Sequence, residues 1–261
     1  MLNNPAKAKL RDGQPLLGVI SPTTDPTLCE YLGLAGFDFY MMDGEHGPIS
    51  VTEAVHLVRG CEVVGLPCLA RIRSVDEKLI LQYLDAGVAG VMMPGIQTAD
   101  HVRALVAAIK YPPLGKRGLG PVRAGDYLAG KFSQQAYIEH ANAQTLVLPQ
   151  IEDIACVENL DGMLAVEGVD GFVLGPRDLA MSMGFYDGPN HPEVKAVIDD
   201  VRQRVLAAGK AIGTVAGTAE QARGLIDQGF TIILNSTQGL LNQASKAFLA
   251  VVSQQSTVVS R

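Results

Sequence analysis

Short apolar segments alternate with longer amphipathic segments along the whole 261-residue chain. Most of the apolar segments lack the alternation of polar and apolar positions that is typical of a sheet with one solvated face. Parallel strands that are covered by helices on both sides have this continuous apolar pattern. We therefore predict eight buried parallel strands, at Leu16–Ser21, Phe37–Asp43, Pro67–Ile72, Gly90–Pro94, Thr145–Ile151, Gly171–Leu174, Lys210–Val215 and Thr231–Asn235.

Signals for helix starts follow several of these strands. Besides Asp25-Pro26, they are S/T-x-x-E/Q boxes at Ser50 to Glu53, Ser74 to Glu77 and Thr218 to Gln221. Glycine-bearing turns such as DAGVAGV and DQGFTII precede the next strand and indicate helix ends. Eight βα units in this length favour a (β/α)8 TIM barrel over an open doubly wound sheet. No linker divides the chain, so we predict a single barrel domain over residues 1–261.

Composition and charge narrow the classes of partner. Charged residues make up 18% of the chain and the net charge is -6, which gives no basic field to attract nucleic acid. The N-terminus lacks an apolar signal core, and no apolar run approaches membrane-spanning length. The four cysteines form no CxxC pair and lie in apolar runs, which is typical of reduced core residues. We expect a soluble cytoplasmic protein without a nucleic-acid or membrane partner.

An acidic residue follows each of two neighbouring predicted strands. Glu152 comes after LVLPQI and Asp178 after GFVLGPR, and in a parallel sheet both strand ends face the same edge. Two carboxylates held together repel each other unless a proton or a cation lies between them, and a divalent ion is the simplest solution. The alternative is that Glu152 caps the next helix while Asp178 pairs with Arg177. This segment alone does not favour either interpretation.

The second and third predicted strands also end in polar residues. Asp43, Glu45 and His46 follow the second strand in DGEHGP, and a histidine beside carboxylates suits acid/base chemistry. The alternative is a polar turn in which Asp43 only fixes the loop. Arg71 ends the third strand, where its guanidinium could hold a carboxylate or an enolate oxygen. Its alternative role is as a structural partner for Asp43 or Asp85.

Several other reaction types lack the residues that they need. No lysine lies at the carboxyl end of a predicted strand, which disfavours Schiff-base chemistry. The chain contains no G-x-S-x-G segment, no cysteine next to a histidine and no GxxxxGK[ST] loop. What remains is a metal ion with acid/base assistance.

Taken together in their order, several segments resemble the class II pyruvate aldolases of the HpcH/HpaI type, which include 2-dehydro-3-deoxyglucarate and 4-hydroxy-2-oxoheptanedioate aldolases. These segments are DGEHGP, LARIRS, LDAGVAGVMMPGIQTAD, YPPLGKRGLG, PQIED and GVDGFVLGPRDLAMSMG. The similarity runs from about Leu16 to about Gln243. It implies a (β/α)8 barrel of the phosphoenolpyruvate/pyruvate type whose last helix is exchanged between subunits, usually in a homo-hexamer built as a trimer of dimers.

The resemblance also implies a reaction and a site. The reaction is the reversible cleavage of a 4-hydroxy-2-oxo acid (a 2-keto-3-deoxy acid) to pyruvate and an aldehyde through a metal-bound pyruvate enolate. The metal would be Mg²⁺, Mn²⁺ or Co²⁺, held by Glu152 and Asp178. The resemblance further implies that His46 is the acid/base catalyst, oriented by Asp43 and Asp85, and that Arg71 contacts the enolate oxygen. Gln150 would be a polar residue beside the metal. The backbone at Gly175 and Pro176 would lie along the pyruvate carboxylate, and Val215 would form the wall of the aldehyde pocket.

Two departures and three alternatives accompany this resemblance. Arg177 precedes Asp178 at a position where small or neutral residues are common in the family, and Val215 occupies a position that shapes the aldehyde pocket. The identity of the aldehyde substrate is therefore left open. The added cation would favour an aldehyde that carries an acidic group. A citrate-lyase-β-like acyl-CoA lyase would need a basic or adenine-accepting groove, and the loop from Lys110 to Lys131 offers four basic residues before its end. A phosphate-binding barrel and a catalytically idle oligomeric barrel are the other two alternatives.

Overall fold

The computed structural model describes residues 3–130 and 132–256, and within them eight parallel strands form one closed barrel. Each strand pairs with its neighbours in chain order, and β8 returns to β1 through pairs such as Gly18 with Leu234. The predicted (β/α)8 barrel is confirmed. The strands are β1 Leu16–Ser21, β2 Phe39–Asp43, β3 Cys68–Arg71, β4 Gly90–Met93, β5 Leu146–Ile151, β6 Gly171–Leu174, β7 Ala211–Val215 and β8 Ile232–Ser236.

Helices connect the strands and cover the outside of the barrel. A short, kinked 3₁₀-helical segment, Arg123–Leu128, lies in the long connection between α5 and α6. The α-helices are α1 Pro5–Arg11, α2 Pro26–Leu34, α3 Val51–Val63, α4 Glu77–Ala86, α5 Ala99–Ile109, α6 Gln134–Gln144, α7 Ile154–Glu158, α8 Leu160–Leu164, α9 Pro176–Ser182, α10 Pro192–Ala207, α11 Ala219–Asp227 and α12 Thr237–Ser256.

The predicted helix starts are confirmed in part. Asp25 caps α2 by accepting a hydrogen bond from the N–H of Thr27, and Ser50 with Glu53 forms the expected reciprocal capping box of α3. The box predicted at Ser74 is wrong, because Asp76 caps α4 by accepting from the N–H groups of the second and third helical residues. An aspartate one residue before the helix reaches these donors directly, and the serine lies too far upstream.

Two apolar layers stabilise the barrel, one inside it and one between the strands and the helices. Phe39, Met41 and Leu148 belong to the inner layer, while Tyr40, Met42 and Val147 face the outer one. Neighbouring residues of one strand thus point to opposite faces, and both faces are buried. This double burial is the physical reason for the continuous apolar runs in the sequence. Cys29, Cys61, Cys68 and Cys156 are buried and free, as predicted.

Helix α1 closes the amino-terminal end of the barrel. Ala6 and Leu10 pack into the inner apolar layer. Asn4, its N-cap, donates from Nδ2 to the carbonyl oxygens of Ala89 and Gln144, at 3.0 and 2.9 Å. Lys7 donates to the carbonyl of Thr145 at 2.8 Å. Because α1 covers this end, the carboxyl ends of the strands form the open mouth of the barrel.

Helix α12 follows β8 and carries exposed apolar side chains. Leu241, Phe248 and Leu249 are all exposed, and solvent contact of this extent is unusual for a helix of a monomeric barrel. The exposed face is compatible with the predicted exchange of the last helix between subunits. The exchange, the hexamer and the single-domain assignment stay predictions. No helix among the described residues combines the length and the apolar character needed to cross a bilayer.

Candidate active site

The carboxyl ends of the strands surround a cavity of about 610 Å³ at the open mouth. A smaller cavity of about 260 Å³ adjoins it and is lined by Glu45, His46, Glu152 and Asp178. The structure thus brings together nine of the ten residues that the sequence assigned to the site. Eight of the nine line the larger cavity: Asp43, His46, Arg71, Gln150, Gly175, Pro176, Asp178 and Val215.

Asp43, the last residue of β2, organises one side of the mouth. Its Oδ1 accepts hydrogen bonds from the backbone N–H groups of Glu45 (3.2 Å) and His46 (3.1 Å). Arg71 forms a two-pronged ion pair with the same carboxylate, from Nε to Oδ1 at 3.0 Å and from Nη2 to Oδ2 at 2.7 Å. Asp43 therefore fixes the turn after β2 and also the guanidinium at the end of β3. This geometry agrees with the structural roles of Asp43 and Arg71, and it also leaves both residues at the cavity, where a catalytic role requires them.

The protonation of Asp43 follows from these partners. Burial acts to raise the pKa of Asp43, but hydrogen bonds from Arg71 and from the N–H of His46 outweigh it and hold the pKa below its ordinary value. The carboxylate is therefore ionised at neutral pH. A charged, hydrogen-bonded pair of this kind gives Arg71 a defined orientation at the cavity wall.

Glu152 lies between strand ends and does not cap a helix. Its Oε1 accepts a hydrogen bond from the N–H of Gly95 at 2.7 Å, and its Oε2 accepts one from the side-chain amide of Gln150. Helix α7 is capped by the next residue, Asp153, which accepts from the N–H of Ala155 at 2.8 Å. The capping interpretation of Glu152 is therefore wrong, and its carboxylate is available to the mouth of the barrel.

The charge around Glu152 favours either a proton or a cation. Burial raises the pKa of Glu152; the N–H of Gly95 opposes this effect, and the carboxylates of Glu45 and Asp178 add to it. Asp178 is exposed in the first turn of α9, and among the described residues it forms no ion pair with Arg177. The second half of the alternative interpretation is therefore not observed either. Glu152, directly after β5, and Asp178, in α9, thus bring two carboxylates to one region, and neither forms an ion pair within the part of the chain that the structure describes.

The donor set at this point fits a hard divalent cation. Glu152 and Asp178 offer carboxylate oxygens, and the Oε1 of Gln150 is buried without a hydrogen-bond partner. Gln150 itself is only 4% exposed, so this oxygen is fixed within the site. An orphaned buried oxygen is uncommon and calls for a partner. Oxygen ligands of this type suit Mg²⁺ or Mn²⁺, with water filling the remaining positions.

Gly175 permits the close approach of β5 and β6 beside these oxygens. A Cβ atom at this position would lie 2.6 Å from Nε2 of Gln150 and 2.9 Å from Cβ of Glu152, closer than real side chains approach. The N–H of Gly175 donates to the carbonyl of Ile151 at 2.8 Å, which ties the two strand ends together. The absence of a side chain at Gly175 therefore sets the spacing within the carboxylate site. Pro176 then begins α9 and carries Asp178 into the mouth.

Asp85 is the one predicted site residue that does not reach the mouth within the single chain. It is the penultimate residue of α4, which runs back from the mouth to the opposite edge of the barrel. Its carboxylate accepts a hydrogen bond from Nη2 of Arg117 at 2.9 Å, and burial raises its pKa although Arg117 acts in the opposite direction. Asp85 thus stabilises the long loop after α5. It does not orient His46 within this chain.

The far wall of the cavity is shaped by the ends of β6 and β7. Val215, the last residue of β7, is 49% exposed and lines the cavity, and its role in an aldehyde pocket stays a prediction. Arg177 lines the same wall, and its guanidinium forms no ion pair among the described residues. This wall therefore combines an apolar surface with an unneutralised positive charge.

Of two further contributors to the site, Glu45 was placed at this edge by the sequence without a role of its own, and Gly95 was not foreseen. Glu45 lies close to Arg71 and His46, and its position after β2 in DGEHGP was the available signal. Gly95 donates its N–H to Glu152 from the turn after β4. Backbone donors leave no trace in residue types, so only the location of MMPG at a predicted strand end could have indicated this contact.

Known proteins are similar to this chain over most of its length. A family model described as HpcH/HpaI aldolase/citrate lyase matches residues 16–242. The hydroxypyruvate/pyruvate aldolase of Cupriavidus necator is 35% identical over 240 residues, which cover 92% of this chain and 88% of that protein. The 2-keto-3-deoxy-L-rhamnonate aldolase of Salmonella gallinarum is 36% identical over 216 residues, covering 83% and 80% of the two chains.

A solved structure gives the same result at the level of the fold. A HpcH/HpaI aldolase/citrate lyase family protein from Burkholderia cenocepacia superposes with a TM-score of 0.89 at 30% sequence identity. The superposition covers 96% of this chain and 100% of that chain. The barrel and its order of strands are therefore shared over essentially the whole length.

Proposed function

The chain belongs to the HpcH/HpaI aldolase/citrate lyase family and is a carbon–carbon lyase of the aldolase type. From this premise we propose that it cleaves a 4-hydroxy-2-oxo acid reversibly to pyruvate and an aldehyde with the help of a divalent metal ion. The observation that carries the proposal is the joint placement of Glu152 and Asp178 opposite the Asp43–Arg71 pair in one cavity system. The names of the two aldolase relatives support a 2-oxo acid as the substrate class.

The carboxylate half of the site would hold the electrophile. Glu152 and Asp178 would bind Mg²⁺, Mn²⁺ or Co²⁺, and Gln150, whose side-chain amide donates to Glu152, has a buried Oε1 without a hydrogen-bond partner. When bound, such an ion acts as a Lewis acid and stabilises the negative charge that develops on the oxygen of a 2-oxo acid. The backbone at Gly175 and Pro176 lines the same cavity, where the carboxylate of the substrate would lie.

The opposite half of the site would handle the proton and the developing oxyanion. In the cleavage direction His46 accepts the proton of the C4 hydroxyl, the C3–C4 bond breaks and the aldehyde leaves. Arg71, oriented by Asp43, donates hydrogen bonds to the oxygen of the pyruvate enolate. Protonation of the enolate at C3 then gives pyruvate, and the reverse order of steps forms the carbon–carbon bond. His46 is exposed at the cavity rim, which leaves it able to exchange protons with water between turnovers.

The decisive experiment measures pyruvate release from a panel of 4-hydroxy-2-oxo acids. We expect turnover with Mg²⁺, Mn²⁺ or Co²⁺ and loss of turnover after complete chelation, because two neighbouring carboxylates without a cation cannot stabilise an enolate. Restoration by added metal is the control for damage caused by the chelator. Full activity in metal-free protein would contradict the metal-dependent mechanism, and inactivity on the whole panel would contradict the proposed substrate class.

The acyl-CoA alternative depends on a basic groove that the long loop does not provide. Lys110 is buried and donates to the carbonyls of Asn142 and Thr145, at 2.7 and 2.8 Å. The other three basic residues before the end of the loop have carboxylate partners: Lys116 with Glu77, Arg117 with Asp85 and Arg123 with Glu62. Lys131 lies outside the described residues. The four described cations are thus engaged within the chain, which favours the aldolase proposal over a CoA-dependent lyase.

Arg177 is expected to select the aldehyde. Its unneutralised guanidinium on the cavity wall would attract an aldehyde that carries a carboxylate. We expect Arg177→Gln to lower kcat/KM for aldol addition to such an aldehyde by about 10-fold, the effect of one exposed to half-buried charge contact. The rate with an uncharged aldehyde of similar size should change little. Equal effects on both aldehydes, measured by steady-state kinetics, would contradict this role.

A further inference from the structure

The end of β8 contributes a side chain to the cavity that the proposed mechanism does not use. Along this strand Ile232 and Leu234 belong to the inner apolar layer, whereas Ile233 packs in the outer one. Because side chains alternate between the two faces of a strand, Ser236 points to the inside of the barrel, and it lines the larger cavity. A polar side chain thus ends the inner row of β8 at the mouth.

Apolar residues flank Ser236 on the two neighbouring strands. In the register of the barrel Ile20 of β1 pairs with Ser236, and Val215 of β7 pairs with Leu234, the preceding inward position of β8. Ile20 and Val215 both line the same cavity. On this part of the wall the hydroxyl of Ser236 therefore lies between two apolar side chains, and a polar group placed in this way fixes the orientation of a ligand.

The local contacts of Ser236 leave its hydroxyl hydrogen for a ligand. Its Oγ accepts a hydrogen bond from the N–H of Gly239 at 3.0 Å, as the residue before a helix commonly does. A Cβ atom at Gly239 would lie 3.1 Å from this Oγ and 2.6 Å from Oδ1 of Asn235, so the absence of a side chain lets the first turn of α12 close on both oxygens. Within the described residues the O–H of Ser236 donates to no acceptor. A serine hydroxyl has one donor, and this donor is available in the cavity.

Backbone contacts in the same region argue against a phosphate at this end of the cavity. In many TIM barrels the N–H groups after the seventh and eighth strands bind phosphate. Here the N–H of Gly217 donates to Oε1 of Gln221 at 2.8 Å, that of Ser236 to Oδ1 of Asn235 at 2.7 Å, and that of Gly239 to Oγ of Ser236. These three donors are engaged within the chain, so a side-chain hydroxyl and not a cup of backbone donors meets the ligand.

We propose that Ser236 is a specificity-determining residue that donates a hydrogen bond to the hydroxyl group on the carbon next to the aldehyde carbonyl. This inference rests on the proposed function and deepens it, because it names unphosphorylated 2-hydroxyaldehydes as the preferred partners of pyruvate. The serine side chain is short and starts at the strand end, so its hydroxyl lies near the reacting carbons and not at the outer rim. Ile20 and Val215 contact the carbon atoms on either side. A carboxylate further along the aldehyde stays free to reach Arg177.

Glycolaldehyde and propanal test this role, because they differ only in a hydroxyl group against a methyl group. The quantity to measure is the selectivity, the ratio of kcat/KM for aldol addition of pyruvate to glycolaldehyde over that to propanal. The intrinsic reactivity of each aldehyde cancels when this ratio is compared between variants. We expect Ser236→Ala to lower the selectivity by about 3- to 10-fold, the effect of one partly exposed neutral hydrogen bond. Ser236→Thr keeps the hydroxyl and should stay within about 2-fold of wild type.

Ser236→Asp separates ligand binding from capping of α12. Aspartate is a good N-cap and keeps an acceptor for the N–H of Gly239, but an ionised carboxylate has no donor. We therefore expect a melting temperature near that of the wild type together with a selectivity as low as in Ser236→Ala. Ser133→Ala is the matched control, because Ser133 caps α6 by accepting from the N–H of Ala136 at 3.2 Å and does not line the cavity. It should keep wild-type selectivity.

Several results would overturn the proposal. They are wild-type selectivity in Ser236→Ala or Ser236→Asp, and an equal fall of kcat/KM for both aldehydes, which would indicate a structural role only. Competition of inorganic phosphate with glycolaldehyde that is lost in Ser236→Ala would assign the position to an anion and would also overturn it. Absence of aldol addition by the wild type refutes the proposed function, whereas addition with unchanged selectivity in the variants refutes only the role of Ser236.

Discussion

Glu152→Gln should abolish divalent metal binding and lower kcat/KM by about 10²- to 10³-fold or more, the range found when one group that stabilises a developing oxyanion is removed. Glutamine keeps the size of the side chain and can still accept from the N–H of Gly95, so the fold at the end of β5 should be retained. It removes one of the two negative charges that attract the cation. Calorimetry with Mn²⁺ and the pyruvate-release assay measure the two effects on the same protein.

Asp153→Asn is the matched control for this substitution. Asp153 is the adjacent acidic residue, but it caps α7 and contacts the side chain of Gln97. Its replacement removes the same charge from the same loop and should retain most of the metal affinity. Wild-type metal affinity in Glu152→Gln, or equal losses in both variants, would show that Glu152 is not a metal ligand.

Asp43→Asn is expected to have the second large effect, on stability and on catalysis together. Asparagine cannot form the charged two-pronged pair with Arg71, whose side chain is only 12% exposed. Removal of one partner from a largely buried ion pair costs about 3–5 kcal/mol, and we expect the lower end of this range because Glu45 still lies 3.3 Å from Nη1 of Arg71. The guanidinium also loses its fixed orientation at the cavity wall, so we expect kcat to fall by about 10- to 100-fold.

The pH dependence of unfolding distinguishes this pair from an ordinary surface contact. The pKa of Asp43 in the folded protein lies below its ordinary value of 3.8. Its contribution to stability is therefore complete above about pH 4 and is lost as the pH falls through the folded-state pKa. Urea unfolding between pH 3 and pH 7 should show this loss in the wild type and less of it in Asp43→Asn. Asp100→Asn, which breaks an exposed pair with Arg103, should leave stability almost unchanged.

The strands could be predicted from the sequence because a single physical requirement determines their pattern. Both faces of each strand are buried, so runs such as FYMMD and LVLPQI contain few polar positions and have clear ends. The order of eight such runs with helices between them then allows few topologies. The site followed from the same logic, because residues directly after parallel strands meet at one edge. His46, Arg71 and Glu152 are all found there.

The sequence did not predict two kinds of contact. In one kind the partner residue is distant in the sequence, and in the other two neighbouring residues could make the same contact. The resemblance placed Asp85 near His46, but within this chain the direction of α4 carries it to the opposite edge, where Arg117 binds it. The hydroxyl of Ser74 and the carboxylate of Asp76 lie two residues apart, and both could cap a helix. The cap of α4 is Asp76. Glu45 was seen as a member of an acidic turn, and only the structure shows that its Oε2 lies 3.3 Å from Nη1 of Arg71 and 3.9 Å from Nε2 of His46.

Gly175 has a consequence for redesign of this enzyme. The carboxylate site depends on a position where no side chain fits, because Gln150 and Glu152 occupy the space that a Cβ atom would need. A library that randomises the rim of the cavity would therefore lose most of its members at this codon without exploring any new specificity. Diversity is better placed at Val215 and Arg177, whose side chains are exposed and border open space. The mouth of the barrel thus has one position, Gly175, that should not be varied, and a cavity wall at Val215 and Arg177 where substitutions could admit other aldehydes.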